Sequence, residues 1–346
     1  MSRRVFVGLS GGVDSSVSAA LLKNQGYDVV GVYMKNWSHD LPGYPCPWKE
    51  DYQDAKRVAV QLGIDFKLYD FEAQYRSKVV DYMLEAFKAG ITPNPDIMCN
   101  QEIKFKLFLE VALEDGTDFI ATGHYAKTQD GKLLKAKDTN KDQTYFLYRT
   151  SRLALSKTLF PLGDFTKPEV RELAKKFGLI TATKKESMGI CFVGKVGIKD
   201  FLQQYVTTEP GEIIDQKGQR IGKHDGAIFY TIGQRHGLNI GGGLPYYVTG
   251  KNMAKNEVYV TNNLDDSKLW HESFGLSSLH WISKQPNTSK TLQVRTRHRA
   301  PLEPCTIKIG GNEAVVKLDN PLRAITPGQS AVLYDDDQVL GGGIIT

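Results

Sequence analysis

Three short stretches of the chain hold residue types able to do chemistry. In Gly8-Leu9-Ser10-Gly11-Gly12-Val13-Asp14-Ser15, glycines and hydroxyls sit between a β-type run and a helical pattern. Glycines let a backbone turn tightly and bring its N–H groups up to an anion. The start of the following helix adds partial positive charge aimed at the same place. Ser10 and Ser15 are candidate donors to phosphate oxygens, and Asp14 either holds a magnesium ion or fixes the loop. The pattern is neither a Walker A loop nor a G-x-G-x-x-G fingerprint. The second stretch, Asn94-Pro95-Asp96-Ile97-Met98-Cys99-Asn100, precedes a helical pattern expected from Gln101. A thiol at a helix N-terminus has a lowered pKa, and Asp96, three positions earlier, is a candidate general acid or base. The third is Ser187-Met188-Gly189-Ile190-Cys191-Phe192. Taken alone, Cys99 and Cys191 each read more readily as structural cysteines. Beside a phosphate loop they form a constellation.

These residues need elements to position them. The first two hundred residues alternate β-type runs (Val5–Leu9, Val29–Met34, Phe66–Phe71, Phe119–Thr122) with helical patterns (Ser15–Asn24, Asp51–Leu62, Tyr75–Lys88, Gln101–Leu113). Such alternation predicts an α/β domain with a parallel sheet covered by helices on both faces. Thr166-Lys167-Pro168-Glu169 reads as a capping box opening a helix that stops at Gly178. After about residue 205, Gly and Pro become frequent. Short strand candidates follow at Ala227–Thr231, Tyr246–Thr249, Glu257–Val260, Leu292–Thr296, Thr306–Ile309, Ala314–Leu318 and Ala331–Leu333. The expected organisation is a catalytic α/β domain over 1–205, a small β-rich domain over 206–270 and a β-barrel over 271–346, with a break near Leu269–Gly275.

Composition bounds the alternatives. The chain has 346 residues, 41% hydrophobic and 24% charged, with a net charge of +5 from 44 basic and 39 acidic residues. That excludes wholesale disorder and permits an anionic partner without demanding one. No run of about eighteen apolar residues suggests a membrane span. The apolar stretch after the basic start is too short for a signal-peptide core. Four dispersed cysteines (Cys46, Cys99, Cys191, Cys305) form no C-x-x-C pair, which argues against a zinc ribbon. They suggest a reducing cytosol, hence a cytoplasmic protein. Cys46, between two prolines, reads as structural or merely reducible, and Cys305 as packing.

The first loop resembles the S-G-G-x-D-S loop of N-type ATP pyrophosphatases, which cut ATP between its α- and β-phosphates. That resemblance implies ATP contacts from Gly8, Leu9, Ser10, Gly11, Gly12, Val13, Asp14 and Ser15, with adenine-side contacts at Met34 and Gly123, and magnesium accompanying the nucleotide. With N-P-D-x-x-C-N and G-I-C-F, the chain resembles the tRNA-specific 2-thiouridylase family. The match extends to Val32-Tyr33-Met34-Lys35-Asn36-Trp37, Ala121-Thr122-Gly123-His124-Tyr125-Ala126, Lys141-Asp142-Gln143, Phe229-Tyr230-Thr231-Ile232-Gly233-Gln234-Arg235 and Pro327-Gly328-Gln329. It implies a PP-loop ATP pyrophosphatase domain followed by two small β-rich domains. It further implies ATP-dependent adenylation of a wobble uridine and sulfur transfer from a persulfide supplied by a cysteine desulfurase or sulfur-relay protein. Cys191 would carry the persulfide, Cys99 would be its partner and Asp96 the acid/base; the residues alone do not assign the two cysteines. The resemblance places tRNA contacts at Asn94, Pro95, Asp96, His124, Lys141, Asp142, Gln143, Arg297, His298 and Gln329. It implies no resident protein-bound metal.

Strand alternation also sets Arg295, Arg297 and Arg299 on one face of a strand, a candidate phosphate track. His124 alone reads as a hydrogen-bonded structural histidine. Two other readings remain: a small-molecule ATP pyrophosphatase such as an amidating synthetase, and a catalytically idle tRNA-binding module. The first would lack an ammonia source and leave both motif cysteines without a task.

Overall fold

The structure is a computed structural model that describes residues 2–43, 45–185, 197–241 and 245–346. Five parallel strands form the first sheet: β1 (Arg4–Gly8), β2 (Asp28–Lys35), β3 (Asp65–Asp70), β4 (Phe119–Ala121) and, after a hairpin of β5 (Lys127–Gln129) and β6 (Lys132–Leu134), β7 (Thr158–Leu159). Their order is β3-β2-β1-β4-β7. Alternation along β1 divides the core. Val5 and Val7 join Ala19, Leu22, Ala55 and Ala59 from the helices Val13–Asn24 and Trp48–Leu62 on one face. Phe6 points the other way, with Val30 and Val32, into the helical runs over 72–88 and 95–114. The strand order reverses at β1, which has β2 on one side and β4 on the other. In open α/β sheets that reversal opens a crevice at the carboxyl ends of the strands, where ligands bind.

The expected strands and helices of this domain are present, and Glu169 accepts from the Thr166 backbone N–H at 2.6 Å to open the helix Lys167–Lys176. One boundary moves. The helical run expected from Gln101 begins at Pro95, capped by the Asn94 side chain, because proline's fixed φ suits a first helical position. Cys99 therefore lies one turn inside the helix, at the start of a π-helical segment over Cys99–Leu107.

The β-rich part contains two sheets. The strands β8 (Gly211–Ile214), β9 (Arg220–His224), β10 (Tyr247–Asn252) and β11 (Glu257–Thr261) order as β10-β11-β8-β9. The strand expected at Ala227–Thr231 is instead a 3₁₀ turn, Ala227–Phe229. In the last sheet, β12 (Trp270–Trp281), β13 (Leu292–Arg295), β14 (Glu303–Gly310), β15 (Glu313–Arg323), β16 (Ser330–Asp335) and β17 (Gln338–Ile345) close on themselves, since β12 pairs with both β15 and β17. Phe274, Leu292, Val294, Ile307, Val316 and Leu333 fill the interior. Cys305 is fully buried among them, and burial pushes its thiol up to about 12, as a packing residue requires. The β5–β6 hairpin joins this barrel sheet, with Leu133 and Leu134 opposite Val339 and Gln338 of β17.

Candidate active site

The loop after β1 sits at the strand-order reversal. Gly11 has φ +73°, and a Cβ there would lie 2.4 Å from the Asp51 carbonyl oxygen, so only glycine fits. Ser15 Oγ accepts from the Ser10 N–H at 3.1 Å and faces Ser10 Oγ at 3.2 Å. Both hydroxyls are thus gathered at the start of the helix Val13–Asn24. Gly123, just past β4, packs against the same turn, where a Cβ would come within 2.7 Å of the Ser15 nitrogen. Met34, at the end of β2, lies beside Gly8. The loop residues, Met34 and Gly123 therefore share one crevice.

Asp14 has partners that sequence reasoning missed. Lys167 Nζ donates to both its carboxylate oxygens, at 2.7 and 2.8 Å, and the Tyr125 hydroxyl donates to Oδ1 at 2.9 Å. Of the two roles left open for Asp14, this geometry fits fixing the loop. Lys167 stood in plain view within the capping-box motif, but that motif reads only as a helix start.

Asn94, Pro95 and Asp96 line a separate cleft of 640 Å³, walled also by Gly197–Lys199, Phe229–Thr231 and His236. Cys99 is buried nearby on the same helical run, only 1% exposed. Cys191 lies outside the described residues. The chain on either side of it is described. Lys184 bonds Asp51 and Asp54 at 2.8 and 2.7 Å, on the helix whose Asp51 carbonyl touches Gly11. Gly197 is already in the cleft wall. Cys46 is half-buried, its thiol raised by burial, and it donates to the Trp37 carbonyl at 3.7 Å.

Several residues expected to touch RNA have interior partners. His124 is buried against Phe105 and Phe160, its Nδ1 2.8 Å from Thr122 Oγ1, and burial holds its pKa well below the usual histidine range. Asp142 accepts from Thr144 Oγ1, the Ala136 N–H and Arg295, the last in an ion pair of 3.0 Å with side chains 3% and 11% exposed. Gln143 Oε1 accepts from the Tyr125 N–H at 3.0 Å, and Lys141 is half-buried beside it. The expected arginine face is not formed. The strand ends at Arg295, Arg299 adopts φ +63°, and Arg297 turns inward to bond the Ile232 and Ala324 carbonyls and Thr326 Oγ1. His298 lies 4.5 Å from the Phe146 ring, and burial with nearby Arg299 and Arg295 lowers its pKa to about 4. Gln329 reaches back to the Thr92 and Pro93 carbonyls.

Comparison with known proteins fits this architecture. Residues 3–195 match the tRNA methyl transferase HUP domain model, 199–262 the tRNA methyl transferase PRC-barrel domain and 271–345 the aminomethyltransferase beta-barrel domain. A solved 4-thiouridine synthetase–RNA complex with bound ATP aligns with 58% of this chain and 50% of its own, at 18% identity and a TM-score of 0.38. The tRNA-specific 2-thiouridylase MnmA of Streptococcus sanguinis is 48% identical, covering 99% of this chain and 95% of its own. The Bacillus cereus protein of the same name is also 48% identical, over 99% and 94%. A PP-loop domain with a parallel sheet, two β-rich modules behind it and near-complete coverage at that identity leave one assignment: the chain belongs to the tRNA-specific 2-thiouridylase MnmA family.

Proposed function

We propose that this protein is a tRNA 2-thiouridine synthase, an ATP-dependent sulfurtransferase acting on the wobble uridine. The observation that supports it most is the 48% identity, over nearly the whole chain, to relatives named for that activity. A uracil carbonyl oxygen does not leave as oxide at a useful rate. ATP supplies the activation, since an attached AMP makes that oxygen a leaving group. Gly8–Ser15, Met34 and Gly123 are the residues that would hold the nucleotide, and the paired Ser10 and Ser15 hydroxyls at the start of the helix, with Gly123 packed side-chain-free against the same turn, fit such a group. Asp14 is engaged by Lys167 at both carboxylate oxygens and does not offer them to magnesium.

In this reading Asn94, Pro95 and Asp96 receive the flipped uridine, and Asp96 moves the proton. Single-stranded anticodon bases cost little to splay out. The persulfide on Cys191 holds the sulfur to be delivered. The Cys99 thiolate attacks its inner sulfur and hydrosulfide leaves, so the two cysteines end as a disulfide. Hydrosulfide then attacks C2 of the uridine and AMP departs. A thiol reductant supplies two electrons to reset the disulfide, and a cysteine desulfurase or sulfur-relay protein reloads Cys191. Among the residues outside the cleft, Lys141, Gln143 and His298, each half-buried, are the proposed tRNA contacts. The same reading divides the chain at about 205 and 270 and locates the protein in the cytoplasm. Among the described residues, no helix is long and apolar enough to cross a membrane.

The test is mass spectrometry of an unmodified tRNA transcript after incubation with protein, ATP and a sulfide source. A sulfur-for-oxygen gain at the wobble uridine is expected, and its absence overturns the reading. With a persulfide donor, Cys191→Ser should abolish that gain while ATP-dependent base adenylation continues.

A further inference from the structure

Three modules meet on the backbone just before Asn94. Thr92 N–H donates to the Pro327 carbonyl at 3.2 Å. Gln329 Nε2 donates to the Thr92 carbonyl at 2.9 Å and the Pro93 carbonyl at 3.3 Å. Gly328, at φ +89°, presses on the same residues, where a Cβ would lie 2.0 Å from Ile91 Cγ2 and 2.9 Å from the Thr92 oxygen. From the middle module, Thr231 Oγ1 lies 3.3 Å from Thr92 Oγ1. The ring then closes. Ile232 follows Thr231, and its carbonyl accepts from Arg297, which also bonds Ala324 and Thr326, at the root of the Pro327–Gln329 turn. Pro93 has no N–H and a fixed φ, so carbonyl contacts on either side of its peptide set the direction in which Asn94-Pro95-Asp96 enters the cleft.

We propose that Gln329 is a positioning residue: the barrel's Pro327–Gly328–Gln329 turn clasps Thr92-Pro93 and holds Asp96 in register with the base, and its amide is committed to that loop. This deepens the function proposed above and rests on it. Small displacements of a reacting group lower rate at saturation and leave binding intact, because the lost geometry is needed only for reaction. Gln329 is half-buried at the surface of the barrel, so its side chain can be altered without opening the core.

The experiment is single-turnover thiolation of an unmodified tRNA transcript, with ATP and sulfide, for wild type, Gln329→Ala, Gln329→Glu and Gln329→Lys, together with the tRNA Kd of each. Gln329→Glu keeps the shape but sets a carboxylate against two carbonyls; Gln329→Lys restores a donor. Loss of the clasp should lower the saturating rate by about tenfold or more in the Ala and Glu variants, with Kd within about twofold of wild type and partial recovery in Lys. A saturating rate within about twofold of wild type in both Ala and Glu overturns the proposal, whatever the Kd. Thr231→Val, which removes the other hydroxyl on Thr92, should lower the same rate with Kd unchanged. A wild-type protein that fails to thiolate the transcript is a failure of the functional reading, and is distinct from these outcomes.

Discussion

Lys167 donates to both oxygens of Asp14 from a helix that begins more than a hundred and fifty positions later in the chain. The pair is half-sheltered, with side chains 11% and 32% exposed. Removing one partner from such a pair leaves the other charge poorly solvated and free to reorient. Asp14 follows the phosphate cradle directly, so a loosened carboxylate unsettles the turn that presents Ser15. Lys167→Met should therefore reduce tRNA-dependent AMP formation by about tenfold or more while circular dichroism stays native. Unchanged AMP formation would show that Tyr125 alone suffices to fix the loop. Sequence made Asp14 visible through its neighbours in the loop. It hid Lys167 because helix-opening chemistry explains a Thr-Lys-Pro-Glu run completely.

At the scale of elements, the site depends on how closely the end of β4 approaches the start of the helix Val13–Asn24. A Cβ on Gly123 would strike backbone atoms of Asp14 and Ser15, at 2.8 and 2.7 Å, which cannot swing aside as a flexible side chain can. Gly123→Ala should cost about 1–3 kcal/mol of stability, the usual range for overpacking, and weaken ATP binding measured by calorimetry. Gly310→Ala, where nothing lies within 4 Å, is the matched control and should change neither.

Much of this level was legible. Val5-Phe6-Val7 reads as a buried strand by composition, and the glycine-rich loop after it does lie between that strand and a helix. The misreadings came from tertiary effects. Ala227–Phe229 is apolar enough for a strand but is buried as a 3₁₀ turn whose Phe229 lines the cleft, and burial, not strand pairing, is what its composition reports. Arg295, Arg297 and Arg299 alternate as strand residues do. Pairing with β16 stops at Arg295, however, and Asp142 and the carbonyls of Ile232 and Ala324 draw the first two inward. Local periodicity does not encode those distant acceptors.

Across the whole molecule, four histidines (His124, His224, His280 and His298) have pKa values lowered chiefly by burial. Each is neutral in the fold and charges more readily once unfolded. The unfolded chain therefore binds more protons below about pH 6.5, and stability falls as pH falls through that value. For His298 the loss continues to its folded value of about 4. Thermal melting should drop between about pH 7.5 and about pH 5.5, and His298→Gln should flatten that slope. A midpoint that holds constant across the interval would contradict the burial assigned to these rings.

The β5–β6 hairpin has a consequence for biogenesis. Its β6 strand pairs with Gln338 and Val339, about two hundred positions further along. While the chain emerges from a ribosome, that hairpin edge stays without its partner until Gln338 and Val339 have been made, and unpaired edges are where nascent chains stick to one another. Closure of the barrel sheet thus waits on β17, and a chain truncated before Gln338 should yield insoluble product, although every residue of the nucleotide crevice is already present in it.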